Sequence, residues 1–498
     1  MHVGSDESHE VGRGAPASAS AHARGATYFA VAALVGGVAL ATGLFRLGEP
    51  SLWFDEAYSW YNVSRDWTHY WTEVTHGEDC GGLIHSSLVK LWTSVAGDSE
   101  FALRLPSVLY AAAMAIVLLE IGREVHSLRA GFGMALLGVL HPEVIVWSRQ
   151  SRAYCCEMFL TSLFVLMLLR YARAYNRKAG ALLALVGSLL ALTHIFGVFV
   201  VAGGGLYLLG RQLTTKSDVG LGKSLLAVWP TLAPLPLLVG WAFMLRSRIS
   251  NNLNSFWIRD SLWDSYRDLA RSFNLLLLCA GICLAVSVVR FISGKATAAE
   301  RRLLAVLGSS AVCILVGPLV VSMLSRGGHH FIIARYHYPL VIVLAVAVGY
   351  YAAWLPRPAA IVGLVAMTAF MFHDRDTVRA FDHFAYDDSD TRSAAAYLAA
   401  ERRPGDMVLI VPHDERITAM YYGISGPTTR TAGDYDAKWD IPAAVMSDPP
   451  PQPGTRKWVL LYRCKPEDNL ADFGLRGAPQ TEFGSLRVIR VDGTPAAH

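Results

Sequence analysis

Two adjacent carboxylates, Asp55 and Glu56, stand in the stretch Ser51-Leu-Trp-Phe-Asp55-Glu56-Ala-Tyr-Ser-Trp60, just after an apolar run at residues 27–45 that has the composition of a membrane-spanning helix. A carboxylate kept at a membrane edge can take the proton from a hydroxyl as it attacks a lipid-linked substrate. The plainer reading is an interfacial helix, with Trp53, Phe54, Tyr58, Trp60 and Tyr61 at headgroup level and the acids favouring its first turn. A second set of residues is cationic. Arg149 and Arg152 precede Tyr154; Arg246, Arg248, Arg259 and Arg267 surround Asp260; Arg326 and Arg335 flank His329, His330 and Tyr336. Guanidinium groups hold phosphate oxygens as a fork, whereas arginines at helix ends also snorkel with no ligand at all. Arg152 and Arg335 are the two for which the phosphate reading is preferred.

The elements that must position these residues are helices in a membrane. Of 498 residues, 53% are hydrophobic and 17% charged, with a mean hydropathy of +0.34, and the apolar residues fall in long runs. This predicts an α-helical polytopic membrane protein with about eleven transmembrane helices. The runs after the first lie at 105–120, 130–147, 154–169, 181–192, 195–209, 224–245, 273–289, 303–324, 339–355 and 359–372, and the pair flanking Thr193-His194 could be one bent helix. Residues 1–26 read as a disordered cytoplasmic leader, 27–373 as the transmembrane domain, and 46–104 within it as a long first extracytoplasmic loop. Lys and Arg are richer in the connections placed inside when the N-terminus is cytoplasmic. The arginines named above then lie outside, against that bias, where something must call for positive charge.

Net charge is +4, and no basic block or stripe points to nucleic acid. Seven cysteines show no CxxC pair or zinc spacing; Cys80 and Cys464 could pair if both face outward. Residues 374–498 read as a small extracytoplasmic α/β domain. Asp390 caps a helix at 391–401, strands fall at 407–411, 457–463 and 486–491, and no Walker loop, GxSxG or GxGxxG is present. Acceptor recognition is the role expected of this domain.

Residues 28–339 resemble the GT-C integral-membrane glycosyltransferases, which include protein O-mannosyltransferases and lipid A aminoarabinose transferases. The matching pieces are Leu52-Trp-Phe-Asp55-Glu56-Ala-Tyr-Ser59, Glu100-Phe-Ala-Leu-Arg104-Leu-Pro106-Ser107, His141-Pro142 followed by Trp147-Ser148-Arg149-Gln150-Ser151-Arg152-Ala153-Tyr154, and Ala334-Arg335-Tyr336 through Pro339. The resemblance implies a polyprenyl-phosphate sugar donor bound at the outer face of the plasma membrane and a lipid, glycan or protein acceptor. It implies Asp55 as general base with Glu56 supporting it, and Arg152, Arg335, Tyr336 and Tyr154 at the donor phosphate. Glu78, Asp79, His85 and His330 are then expected at the substrates. Some members of the family bind a divalent metal near the acidic motif; Glu78, Asp79, His85, His329 and His330 could offer ligands here, at a spacing that is not diagnostic. Two departures stand out: Cys80-Gly81-Gly82 replaces a proline-rich run, and Gln150 stands where relatives commonly carry Glu. Both fit a shifted substrate range or a partly degenerate enzyme. The competing class is a transporter or flippase of lipid-linked sugars, but that would place ionisable residues at the centres of several spans, where Asp and Glu are nearly absent.

Overall fold

The computed structural model describes residues 17–76, 82–215, 221–244, 261–324, 332–371, 388–432, 445–464 and 468–493. Helix α1 (Ala17–Leu44) is followed by three short helices, α2 (Phe54–Ser64), α3 (Trp67–His76) and α4 (Leu83–Ala96). Next come α5 (Glu100–Val125), α6 (Leu128–Val139), α7 (Pro142–Ser148), α8 (Tyr154–Ala174), α9 (Arg177–Thr193) and α10 (Gly197–Thr215). Helices α11 (Leu221–Leu232), α12 (Leu235–Met244), α13 (Leu262–Ile292), α14 (Ala298–Leu324), α15 (Pro339–Ala352) and α16 (Arg357–Met371) complete the apolar part.

Helix starts follow local chemistry. Ser99, Ser127 and Asn176 each accept a bond from a backbone N–H in the first turn of α5, α6 and α9. Pro142 opens α7, with His141 as its cap. Because that proline cannot continue the preceding helix, the run at 130–147 is split into α6 and α7, which meet at 65°. The run at 224–245 is likewise broken between α11 and α12, at Pro234, and the pair around His194 is two helices.

By length and composition, five helices among the described residues are long and apolar enough to cross a membrane, six if the bent pair is one span, and three shorter apolar stretches lie at Ala227–Trp241, Pro339–Ala352 and Arg357–Phe370; the expected number of about eleven is not reached on these criteria. The segment expected as a loop at 46–104 holds α2, α3 and α4 and ends at Ser99, so that Arg104 is inside α5. Helix α1 begins within the expected leader, ten residues before 27.

The largest core runs through α5, α6, α8 and α15, with Leu118, Met134, Trp147, Phe164 and Val341 fully buried. Helices α5 and α6 touch backbone to backbone: a Cβ on Gly122 would lie 2.1 Å from Gly131 N, and one on Gly131 2.1 Å from Leu119 O. Only glycine permits that approach.

The C-terminal part is an α/β domain, as expected. Its sheet holds β1 (Met407–Val411), β2 (Thr429–Thr431), β3 (Arg456–Leu461), β4 (Gln480–Phe483) and β5 (Leu486–Asp492), in the order β2-β1-β3-β5-β4. β1 pairs parallel with β2 and β3, and β5 antiparallel with β3 and β4. Helix α17 (Thr391–Glu401) is capped by Asp390, and α18 (Arg416–Tyr421) follows β1. Strands β2 and β4 escaped the sequence reading because both are short edge strands with mostly exposed or half-buried residues.

Candidate active site

The carboxylate of Asp55 lies on the first turn of α2, between two guanidinium groups. Arg335 Nη1 is 3.6 Å and Arg152 Nη2 3.8 Å from Asp55 Oδ2. All three side chains remain partly accessible, at 15–19%, so solvent reaches the place where they meet. Arg152 comes from the turn before α8 and also donates to Asp55 O (3.1 Å) and Ser59 Oγ (3.3 Å). Arg335 comes from a 3-10 turn, Ala334–His337, before α15. Burial works against its charge, but the fields of Tyr154, Asp55 and Tyr336 outweigh it and hold its pKa above the ordinary arginine value. Its guanidinium carbon is 5.8 Å from the Tyr336 ring centre, and Tyr154 lies in the field of Arg335, Arg152 and Asp55. Residues from three distant parts of the chain thus meet, and among the described residues neither Asp55 carboxylate oxygen is held by a hydrogen bond. That leaves its lone pairs for an incoming hydroxyl. Two cations against one carboxylate leave this place net positive, as a phosphate ligand requires.

Glu56 faces the other way and is fully buried. Arg104 grips it as a fork, Nε to Oε1 at 2.9 Å and Nη2 to Oε2 at 2.7 Å, and neither side chain is exposed. Arg104 further donates to the carbonyls of Leu47, Pro50 and Ser51 at 2.9–3.0 Å. One arginine from α5 thereby fixes the whole approach to α2. The turn before α8 completes the grip residue by residue: Arg149 donates to Phe45 O (2.8 Å), Gln150 accepts from the Trp53 indole (3.1 Å), and Ser151 N–H donates to Glu56 Oε1 (2.8 Å). Gln150 thus binds an N–H donor through its amide oxygen, a part that a glutamate could also play.

The C-terminal domain closes on the same segment. Tyr422 Oη accepts from Leu52 N–H at 2.6 Å and donates to Glu100 Oε1 at 3.1 Å. Burial, and then the Glu100 charge, push this phenol up, so it keeps the proton it donates. Arg392 bonds the carbonyls of Gly48 and Glu49 and pairs with Glu100, while Ser51 Oγ donates to Asp390. Arg463 lies 5.2 Å over the Phe54 ring, next to Asp55. A cavity of about 410 Å³ opens between Tyr61 and Arg65 on one side and Arg416, Met420 and Thr429 on the other.

Of the residues singled out from sequence, Asp55, Arg152, Arg335, Tyr336 and Tyr154 are brought together. His85 is buried on α4, 6.0 Å from the Tyr110 ring. Arg267 makes an exposed pair with Asp264 at 2.7 Å. Glu78, Asp79, Cys80, Arg246, Arg248, Arg259, Arg326, His329 and His330 lie outside the described residues. Among the described residues no group of three or more His, Cys, Asp or Glu could hold a metal ion. Cys464 Sγ donates to Leu461 O at 3.3 Å, and burial pushes its thiol up to about 12. Arg104, Arg392 and Tyr422 were missed. Arg104 had a signal, a lone arginine at the start of an apolar run; the other two act across more than 290 positions.

Residues 82–250 match the sequence model of the dolichyl-phosphate-mannose-protein mannosyltransferase family. A comparison with curated proteins found none that matches. The fold is similar to that of ArnT from Cupriavidus metallidurans, both bound to undecaprenyl phosphate (TM-score 0.57, 15% identity, 96% of this chain and 100% of that one) and in the apo state (0.58, 15%, 95% and 98%). It is also similar to the oligosaccharyltransferase AglB from Archaeoglobus fulgidus in complex with an inhibitory peptide and a dolichol-phosphate (0.50, 10%, 84% and 66%). The chain therefore has the GT-C fold of integral-membrane glycosyltransferases.

Proposed function

We propose that the protein is an inverting membrane glycosyltransferase, which moves a monosaccharide from a polyprenyl-phosphate donor to a hydroxyl of a lipid, glycan or protein at the extracytoplasmic face. The observation that carries this is the Asp55 carboxylate between Arg152 and Arg335, on the short helix that follows the first membrane helix. In this reading Asp55 takes the proton of the acceptor hydroxyl as its oxygen bonds to the anomeric carbon. The bond from that carbon to the phosphate oxygen breaks with its electron pair going to the phosphate. Arg152 and Arg335 offset the charge that develops there, with Tyr336 and Tyr154 shaping the phosphate side. A polyprenyl phosphate leaves as an anion, so no general acid is needed.

Undecaprenyl phosphate in ArnT and dolichol phosphate in AglB support a polyprenyl carrier. Glu56, tied to Arg104, holds the base in place. Glu78, Asp79, His85 and His330 remain the proposed contacts to sugar and acceptor, and a divalent metal, if used, would draw on the same group. The cavity between α2 and the C-terminal domain suits an acceptor arriving from outside. The test is Asp55→Asn in membranes supplied with labelled polyprenyl-phosphate sugar. Transfer should fall at least about a hundredfold while expression is unchanged; transfer at the wild-type rate would defeat the assignment.

A further inference from the structure

Glu157, in the first turn of α8, is fully buried, and its carboxylate lies 3.3 Å from His194 Nδ1. Among the described residues neither oxygen of Glu157 has a hydrogen-bond partner. An ionised carboxylate so placed needs a cation beside it, and the imidazole is the group at hand. His194 is not a random neighbour. It occupies the break between α9 and α10 in extended conformation, and the backbone of Gly82 presses against the carbonyl of Thr193 so closely that a Cβ there would lie 1.2 Å from it. The glycine that departs from the proline-rich run of relatives therefore lets the His194 segment sit where it does.

The imidazole packs beside two tyrosines of the proposed donor site. Its ring centre is 5.4 Å from Tyr154 and 5.5 Å from Tyr336, and Phe196 stacks on Tyr336 at 4.6 Å. Tyr154 lies in the fields of Arg335, Arg152, Asp55 and Glu157 at once. The groups beside His194 are Glu157 and Tyr154 from α8, Tyr336 from the turn before α15, and Phe196 from its own segment.

We infer that His194, set 3.3 Å from Glu157, is a third contact for the phosphate of the lipid-linked donor beside Arg152 and Arg335, with Glu157 as its positioning residue. The inference rests on the donor proposed above.

The test uses the purified full-length protein in nanodiscs and a polyprenyl methyl phosphodiester, whose one charge does not titrate near neutrality. Wild type should bind it about tenfold more tightly than His194→Gln, the loss of one hydrogen bond to a charged phosphate. His194→Lys, which keeps an N–H donor at this position, should stay near wild type, and it controls for folding. Wild-type affinity in His194→Gln would overturn the inference alone. No binding by wild type would overturn the donor reading and this inference with it.

Discussion

Adjacent acids in one motif have opposite fates, and their surroundings decide which. Asp55 keeps about a fifth of its side chain exposed and meets two guanidiniums beyond hydrogen-bond distance. Glu56 has no exposure and is spanned by Arg104. Breaking a buried pair strands a charge, so Glu56→Gln or Arg104→Ala should each cost about 3–5 kcal/mol, seen as a lowered unfolding temperature together with lost transfer. Because the two act as one unit, the double variant should cost much less than the sum of the singles; additive losses would show that the pair is not the anchor described. At this scale the sequence was half legible. It marks Asp55, Arg152 and Arg335 by type and by setting. It could not tell base from anchor between neighbouring acids, because that depends on Arg104 being forty-eight positions away and dry.

At the scale of elements, the site exists because four consecutive turn residues before α8, the start of α5 and the C-terminal domain all grip residues 45–59. Long apolar runs and capping residues announced the helices, and Asp390 with the run at 391–401 announced α17. What stayed hidden were the breaks, where His141-Pro142, Pro234 and the extended His194 divide runs that hydropathy reads as continuous. Also hidden was the reach of Tyr422 and Arg392, whose partners no local pattern indicates. Tyr422→Phe removes the acceptor for Leu52 N–H and a donor to Glu100; it should cost about 1 kcal/mol per bond and slow transfer several-fold. The expected signature is a loss of turnover with unchanged binding of the lipid phosphate, since the phenol touches the segment leading to Asp55 and not the arginines. A defect confined to the Michaelis constant for the acceptor would instead give the C-terminal domain a recognition role only.

For the whole molecule, α2, the two arginine-bearing turns and the C-terminal domain meet around residues 45–59, and the first loop and the tail being clamped together requires them to share a compartment. A cysteine placed at Met446, which is exposed on the C-terminal domain, should react with a membrane-impermeant maleimide in intact cells. One at Arg301, exposed near the start of α14, should react only after the membrane is opened. The reverse pattern would turn the site toward the cytoplasm and remove the extracytoplasmic acceptor.

The most direct examination is a structure of the protein with polyprenyl phosphate bound. The account predicts phosphate oxygens within hydrogen-bond reach of Arg152 and Arg335, on the same side as the Asp55 carboxylate, with the isoprenoid running into the membrane from there. A phosphate seated away from both arginines, with Asp55 facing no ligand, would contradict it.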